Sequence, residues 1–131
     1  MAKQDSARSC VAVVDDDDEL RRSFARLLRA SGMQPVTYAS AEALLADTMR
    51  PQFDCLVLDI QLPGMSGLDL QEQLNALAPG TPVVFITAYD DPRWRRRALA
   101  AGCAAFFDKG DAGREVLDAI RAVVKGSPRR T

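Results

Sequence analysis

Short apolar runs alternate along this chain with segments whose apolar residues recur at helical spacing, and this alternation limits the fold more than any other feature. Four runs are continuously apolar, at residues 11–14, 55–58, 83–86 and 104–107. Such runs are typical of strands that are buried on both faces of a parallel sheet. A fifth segment, residues 34–38, alternates apolar and polar residues, which favours a strand at the edge of the sheet.

Between these runs, apolar residues spaced three or four apart predict amphipathic helices. Ser40 is expected to cap a helix over residues 41–46, and a weakly amphipathic helix is expected over residues 92–101. Three glycines stand where helices should end: Gly32, Gly80 and Gly102. The apolar stripes of the other helices are formed by Leu20, Phe24, Leu27 and Leu28, by Leu70, Leu74 and Leu77, and by Val116, Ile120, Val123 and Val124.

The strand and helix patterns alternate five times, which predicts an α/β fold with a doubly wound parallel sheet and helices on both faces. In such sheets the functional groups lie at the carboxyl ends of the strands, near the point where the strand order reverses. Polar residues that closely follow the predicted strands should therefore share one edge of the sheet. They are Asp15 and Asp16 after the first strand, Asp59 after the third, Thr87 after the fourth and Lys109 after the fifth.

The length and charge of the chain limit its class. A length of 131 residues fits one domain, residues 1–131, with a core over about residues 9–125 and short flexible tails. Lys and Arg total 17 and Asp and Glu total 18, a balance that argues against a nucleic-acid or membrane surface over the whole domain. No apolar run approaches the ~18 residues of a membrane span, and no signal-peptide pattern begins the chain. We expect a cytoplasmic protein without direct nucleic-acid binding.

The cysteine and histidine content limits the chemistry. Cys10, Cys55 and Cys103 are unclustered, and the chain contains no histidine. This content disfavours a disulfide scaffold, a thiolate zinc site and histidine catalysis. Buried thiols without a redox role are the default expectation. Any metal site must therefore use oxygen ligands, as Mg²⁺ or Mn²⁺ prefers.

Five consecutive acids, residues 15–19, follow the first apolar run. Like charges repel, so several carboxylates at one sheet edge require a cation among them. Mg²⁺ binds carboxylates together with a substrate phosphate, Lys109 can donate hydrogen bonds to phosphoryl oxygens, and Thr87 can add a hydroxyl. An aspartate held between metal and lysine can act as a nucleophile and form an aspartyl phosphate.

A simpler interpretation of the acids is a favourable negative charge at the start of a helix. We adopt it for Asp17, Asp18 and Glu19, with Asp18 as the expected cap of that helix. For the first two acids alone, both interpretations stand. Polar residues at three other strand ends favour a site.

Four segments resemble the receiver domain of two-component response regulators: VVDDD (13–17), LVLDIQLPGMSGLDL (56–70), VVFITAYDD (83–91) and AAGCAAFFDKG (100–110). The second is the most specific, with a strand that ends in aspartate, then two residues, then Leu-Pro-Gly-Met-Ser-Gly. The resemblance extends over about residues 10–125 and is nearest to receivers of LuxR-type transcription regulators. It implies a flavodoxin-like (βα)5 fold with strand order 2-1-3-4-5.

The resemblance also implies a phosphorylation site. Asp59 matches the phosphoacceptor. Asp15 and Asp16 match the acidic pair that binds Mg²⁺, together with Asp59 and the backbone carbonyl of Gln61. Lys109 matches the lysine that pairs with the phosphate. The implied activity is phosphoryl transfer from a histidine kinase or phosphotransfer protein, followed by self-catalysed hydrolysis, in a signalling switch and not an enzyme in the usual sense.

Two further residues match the switch of the family. Thr87 matches the hydroxyl that follows the phosphoryl group, and Phe106 matches the aromatic residue that rotates. The implied output is the face of the fourth helix, fifth strand and fifth helix, through which a homodimer is also implied. The sequence is compatible with a stand-alone regulator and with the front part of a longer transcription regulator.

One residue departs from the family pattern, because Gly110 stands where receivers usually have a proline after a cis peptide bond. A cis bond to a residue other than proline costs about 2.5–4 kcal/mol, so we expect a trans bond. The glycine favours one alternative function, a phosphorylation-independent binding module of the same fold. Two other classes are disfavoured. Gln61 replaces the second aspartate of haloacid-dehalogenase-type phosphatases, and residues 15–19 would repel the phosphate of a flavin or nucleotide.

A second feature outside the strand ends is a cluster of arginines around a tryptophan. Arg93, Arg95, Arg96 and Arg97 surround Trp94. One interpretation is a solvated helix face with a partly buried tryptophan. The other is a partner surface, because tryptophan and arginine are enriched at interface hot spots. The position on the implied output face favours the second interpretation.

Overall fold

The computed structural model describes residues 8–111 and 113–125, and over these residues the chain forms five strands and five α-helices. The strands are β1 (Cys10–Val14), β2 (Gln34–Tyr38), β3 (Cys55–Asp59), β4 (Val83–Thr87) and β5 (Ala105–Asp108). The helices are α1 (Asp18–Ala30), α2 (Ala41–Ala46), α3 (Gly67–Leu77), α4 (Pro92–Ala100) and α5 (Arg114–Lys125). A 3₁₀ turn over Lys109–Asp111 follows β5.

All five strands are parallel, and their order in the sheet is β2-β1-β3-β4-β5. This order confirms the predicted flavodoxin-like fold. The strand order reverses between β1 and β3, which lie side by side with Val14 paired with Leu58. The crevice expected at such a reversal lies beyond the carboxyl ends of these two strands.

Alternate residues of the central strands are buried on opposite faces of the sheet. In β3, Leu56 and Leu58 pack with residues of α2, α3 and α4, whereas Cys55 and Val57 pack with residues of α1 and α5. Both faces of the sheet are therefore covered by helices. This burial on both faces explains why the sequences of the central strands are continuously apolar.

The cap of α1 differs from the prediction. The side chain of Asp17 accepts hydrogen bonds from the N–H groups of Glu19 (3.0 Å) and Leu20 (3.2 Å), so Asp17 is the cap. The prediction of Asp18 as the cap was wrong by one residue, because Asp17 has the extended backbone that lets its carboxylate bend back over the first turn. The prediction for α2 is confirmed, since Ser40 accepts the N–H of Ala43 at 3.0 Å.

The fifth strand also differs from the prediction. It covers Ala105–Asp108, one residue later than expected, and its residues are half-buried. The reason is that β5 lies at the outer edge of the sheet beside β4, where one side of the strand has no neighbour. The other edge strand, β2, lies where its alternating pattern predicted.

The predicted core begins at about residue 9. Ser9 is buried, and its carbonyl accepts the N–H of Gln34 at 2.7 Å. Most residues of the predicted flexible tails, 1–7 and 126–131, lie outside the described residues. Cys10 and Cys55 are buried as expected, and Cys103 is half-buried.

Candidate functional site

Asp15 directly follows β1 and is fully buried. Its backbone N–H donates to the carbonyl of Tyr38 at 3.1 Å, and its Oδ1 accepts the N–H of Asp17 at 2.9 Å. The guanidinium of Arg21 donates to the backbone carbonyl of Asp15. These bonds hold the main chain and the carboxylate of Asp15 at the carboxyl edge of the sheet.

Asp59 is the last residue of β3 and is 3% exposed. Its Oδ1 accepts the N–H of Gln61 at 3.1 Å. The main chain of Asp59 lies so close to the start of α3 that a Cβ at Gly67 would lie 2.1 Å from the Asp59 carbonyl oxygen. Only glycine at position 67 permits this approach without a shift of one segment.

Lys109 joins the two buried aspartates. Its Nζ lies 3.0 Å from Oδ2 of Asp15 and 3.0 Å from Oδ2 of Asp59. The lysine follows β5 directly, and its side chain is 21% exposed. An ammonium group therefore stands between the two carboxylates, although Lys109 and Asp15 are 94 positions apart in sequence.

The electrostatic environment shifts two of these groups. Burial raises the pKa of Asp59, the hydrogen bond from Lys109 opposes that rise, and repulsion by Asp15 adds to it, with a net rise. Burial lowers the pKa of Lys109, but hydrogen bonds to Asp59 and Asp15 outweigh it and the net shift is upward. The lysine thus stays charged, while Asp59 holds a proton more strongly than an ordinary aspartate.

The acidic residues at this edge suit a hard divalent cation. Asp15, Asp16 and Asp59 each offer a carboxylate oxygen, and the three oxygens lie within 4.8 Å of one another. Oδ2 of Asp15 is buried and has no hydrogen-bond partner among the described residues: Lys109 lies 3.0 Å from it as an ion pair but donates its hydrogen bond to Oδ1. Three carboxylates and one ammonium leave a negative charge that a cation with oxygen ligands would neutralise.

The two predicted switch residues lie on neighbouring strands. Thr87 is the last residue of β4, is fully buried, and its Oγ1 accepts the N–H of Tyr89 at 3.2 Å. Phe106 of β5 is half-buried, with its ring centroid 6.1 Å from that of Phe85. The guanidinium carbon of Arg95 lies 4.6 Å from the Phe106 centroid, which is a cation–π contact.

The arginines of α4 are largely paired with acids. The ion pairs are Arg93 with Asp91 (2.9 Å), Arg95 with Asp90 (3.1 Å), and Arg97 with Asp69 (2.8 Å) and Glu72 (3.2 Å). Arg96 is exposed on the same helix. Trp94 is half-buried and packs against the core. The positive charge of this surface is thus mostly balanced locally, and Trp94 has a packing role.

Trp94 also lines an open groove of about 470 Å³. Asp16 and Gln61 lie in the same groove, so the tryptophan is close to the acidic edge of the sheet. The side chain of Gln61 is exposed, and Gln61 stands in the loop between β3 and α3. Trp94 is the single tryptophan of the chain, which makes its fluorescence a direct probe of this region.

Two residues around the site were missed by sequence reasoning. The partly buried Arg21 of α1 donates to the Asp15 carbonyl, a contact that no apolar pattern encodes. Gly67 was noted only as part of a family segment, although a glycine at the start of a helix that follows a buried strand is a signal of close packing. Both act on the position of an aspartate and not on a ligand.

Residues 11–121 match the family described as response regulator receiver domain. Nodulation protein W of Bradyrhizobium diazoefficiens is 39% identical over 125 residues, which cover 95% of this chain and 55% of the relative. Transcriptional regulatory protein FixJ of Azorhizobium caulinodans is 36% identical over 112 residues, which cover 86% of this chain and 53% of the relative. The chain therefore spans about half the length of these relatives.

A solved structure agrees with the fold over nearly the whole chain. The receiver domain protein (CheY-like) from Methanospirillum hungatei JF-1 has a TM-score of 0.87 and 27% identity, and the match covers 95% of this chain and 99% of that one. Within the described residues, no helix has the length and apolar character needed to cross a membrane. The family match and the shared fold together show that this chain belongs to the response regulator receiver domains, the signalling domains of two-component systems.

Proposed function

We propose that Asp59 accepts a phosphoryl group from a histidine kinase or a phosphotransfer protein. The observation that carries this proposal is the position of Lys109, whose Nζ lies 3.0 Å from the carboxylates of both Asp59 and Asp15. A carboxylate oxygen of Asp59 forms a bond to phosphorus while the bond between phosphorus and the donor nitrogen breaks. The nitrogen keeps the electron pair of the broken bond.

We further propose that Asp15, Asp16, Asp59 and the backbone carbonyl of Gln61 hold Mg²⁺ or Mn²⁺. The close carboxylate oxygens of the three aspartates support this ligand set. When bound, the cation supplies charge neutralisation for the transferring phosphoryl oxygens. Lys109 donates hydrogen bonds to one of these oxygens, so that its ammonium passes from the aspartate pair to the phosphoryl group. Water then hydrolyses the aspartyl phosphate and resets the site.

The response to phosphorylation is a change in the face of α4, β5 and α5. The Thr87 hydroxyl follows the phosphoryl group, and Phe106 rotates with it. This face also provides a surface for a partner or for a second copy of the domain, and Trp94 and Arg96 belong to it. Because one relative is named a transcriptional regulatory protein and is about twice as long as the match, we assign the switch to transcription control.

The proposed unit of function is a single cytoplasmic domain over residues 1–131. It acts without direct contact with nucleic acid or membrane, in keeping with the balanced charge of the chain and the ion-paired arginines of α4. The proposal is therefore a signalling switch with phosphotransfer chemistry of its own, and its partners are other proteins.

Intact-mass spectrometry after incubation with Mg²⁺ and acetyl phosphate tests the proposal directly. We expect one added phosphoryl group in the wild-type protein, none without Mg²⁺, and none in Asp59→Asn. Asp118→Asn is the matched control, because Asp118 is an exposed aspartate of α5 with a side chain 64% exposed. An added group that persists in Asp59→Asn would refute the assignment of the acceptor.

Gly110 favours a second candidate, a binding module that works without phosphorylation. This candidate predicts no added phosphoryl group from acetyl phosphate or from any kinase, and no Mg²⁺ binding by calorimetry or Trp94 fluorescence. Phosphorylation of the protein, or binding of Mg²⁺ to it, would exclude this candidate. The ion pairs of Lys109 favour the phosphotransfer proposal over this one.

A further inference from the structure

Lys109 holds its position without the proline that usually follows it in the family. Gly110 is exposed, and no peptide bond among the described residues is cis. Glycine lacks the fixed φ of proline and has the greatest conformational freedom of any residue. Another contact must therefore restrain the main chain at Lys109 if its ammonium is to remain between Asp15 and Asp59.

Asp108 provides such a contact. The N–H of Gly110 donates a hydrogen bond to Oδ1 of Asp108 at 2.8 Å, which closes a tight turn across Lys109. Asp108 is itself fixed as the last residue of β5, in register with Thr87 of β4. A proline at position 110 would have no N–H to donate, so this bond exists only because the proline is absent.

We infer that the Asp108 side chain is a positioning residue for Lys109, and that its bond to the Gly110 N–H takes the place of the proline restraint. The turn starts at the last residue of β5, which the sheet holds in place. It continues into the 3₁₀ turn over Lys109–Asp111. Side chain–backbone bonds of aspartate to an N–H two residues later are a common device for fixing turns. Here the residue enclosed by the turn is the lysine of the site.

This inference rests on the proposed function. It predicts that loss of the Asp108–Gly110 bond changes the rate of phosphoryl transfer and the affinity for Mg²⁺ in opposite directions. Without the turn, Lys109 would leave the carboxylates for part of the time, so phosphoryl transfer to Asp59 should slow. A lysine that has left the carboxylates no longer competes with the cation for them, so Mg²⁺ should bind more tightly. A residue with a purely structural role would weaken both properties together.

The experiment compares Asp108→Ala, which removes the acceptor, with Asp108→Asn, which keeps an Oδ1 acceptor but loses the charge. Asp118→Ala is the control for loss of an exposed negative charge. For Asp108→Ala we expect phosphorylation by acetyl phosphate about fivefold slower. Mg²⁺ affinity, from calorimetry, should be about twofold to threefold tighter. Asp108→Asn should stay close to wild type, and Asp108→Ala should cause no further slowing in a Lys109→Ala background.

A metal-free measurement separates this inference from the proposed function. Carbon-13 relaxation of the Lys109 Cε should show a more mobile side chain in Asp108→Ala, with little change in Asp108→Asn and none in Asp118→Ala. If the wild-type protein accepts no phosphoryl group, the proposed function fails, and the relaxation data still decide the inference. Unchanged Lys109 mobility in Asp108→Ala would overturn the positioning role. An equal increase in Lys109 mobility in Asp108→Asn would also overturn it.

Discussion

Replacement of Gly67 with alanine should destabilise the fold and displace Asp59 at the same time. A Cβ at this position would lie 2.1 Å from the carbonyl oxygen of Asp59, 2.9 Å from its carbonyl carbon and 3.0 Å from the Cα of Ile60. All three are main-chain atoms, so no side-chain rotation can relieve the crowding. The φ of Gly67 is not positive, so alanine could adopt this backbone and crowding alone decides the outcome.

The expected change in the free energy of unfolding combines two destabilising effects and one that offsets them. Overpacking of a close contact costs about 1–3 kcal/mol. Loss of the hydrogen bond from the Gly67 N–H to the Ile60 carbonyl, 3.0 Å in length, costs about 1 kcal/mol. The better helix propensity of alanine offsets up to about 1 kcal/mol. The net loss is about 1–4 kcal/mol, which corresponds to a melting temperature lower by about 5–20 °C for a domain of this size.

The assay combines thermal unfolding with the rate of Asp59 phosphorylation by acetyl phosphate. Gly32→Ala is the matched control, because Gly32 has a φ of +84° and a Cβ there would meet nothing within 4 Å. The control should lose about 1 kcal/mol through backbone strain but keep its phosphorylation rate. Gly67→Ala should lose both stability and rate. If Gly67→Ala melts within 2 °C of wild type, on the order of 0.5 kcal/mol, and reacts at the same rate, the packing argument is refuted.

Two further predictions concern charge. Because the pKa of Asp59 is raised in the folded state, its ionised form destabilises the fold, so metal-free Asp59→Asn should melt at a higher temperature than wild type at pH 7. This gain should shrink as the pH falls below the raised pKa and vanish below the ordinary pKa of aspartate, where Asp59 is neutral in both the folded and the unfolded state. A gain independent of pH would contradict the electrostatic cause. Arg95→Ala should change the rotamer populations of Phe106 about twofold to fivefold by NMR, because a cation–π contact is lost. Arg96→Ala, on the exposed side of α4, should leave them unchanged, and an equal effect of both variants would contradict the contact.

The central strands were predictable from apolar runs because burial on two faces leaves no room for polar residues, whereas the strand order was implied by the family resemblance. The prediction was less accurate where burial is one-sided or depends on one residue. The fifth strand is an edge strand shifted by one residue, so its apolar run did not mean full burial. The cap of α1 was assigned to Asp18 and not to Asp17, because the choice depends on one backbone conformation that the acidic run does not encode.

The residues at the sheet edge were predictable because parallel strands bring their carboxyl ends together. Their contacts were not. The distance of Lys109 from Asp15 depends on a turn that Asp108 closes, and the position of Asp59 depends on the absence of a side chain at Gly67. These constraints lie in side-chain direction and close packing, which apolar periodicity does not describe.

The opening run of acids now has a physical explanation. A fold selected for stability alone would not bury Asp15 and Asp59 at one edge of the sheet, since the charge of Asp15 raises the cost of ionising Asp59. One ammonium, that of Lys109, balances only part of this charge, and Arg21 binds the backbone carbonyl of Asp15 and not its carboxylate. The excess negative charge therefore supports the proposed cation site. Asp17 and its neighbours need no such explanation, because Asp17 caps α1 and the following acids lie in its first turn. The proposed cation site thus takes the buried Asp15 and the exposed Asp16 from this run, and the cap of α1 begins at Asp17.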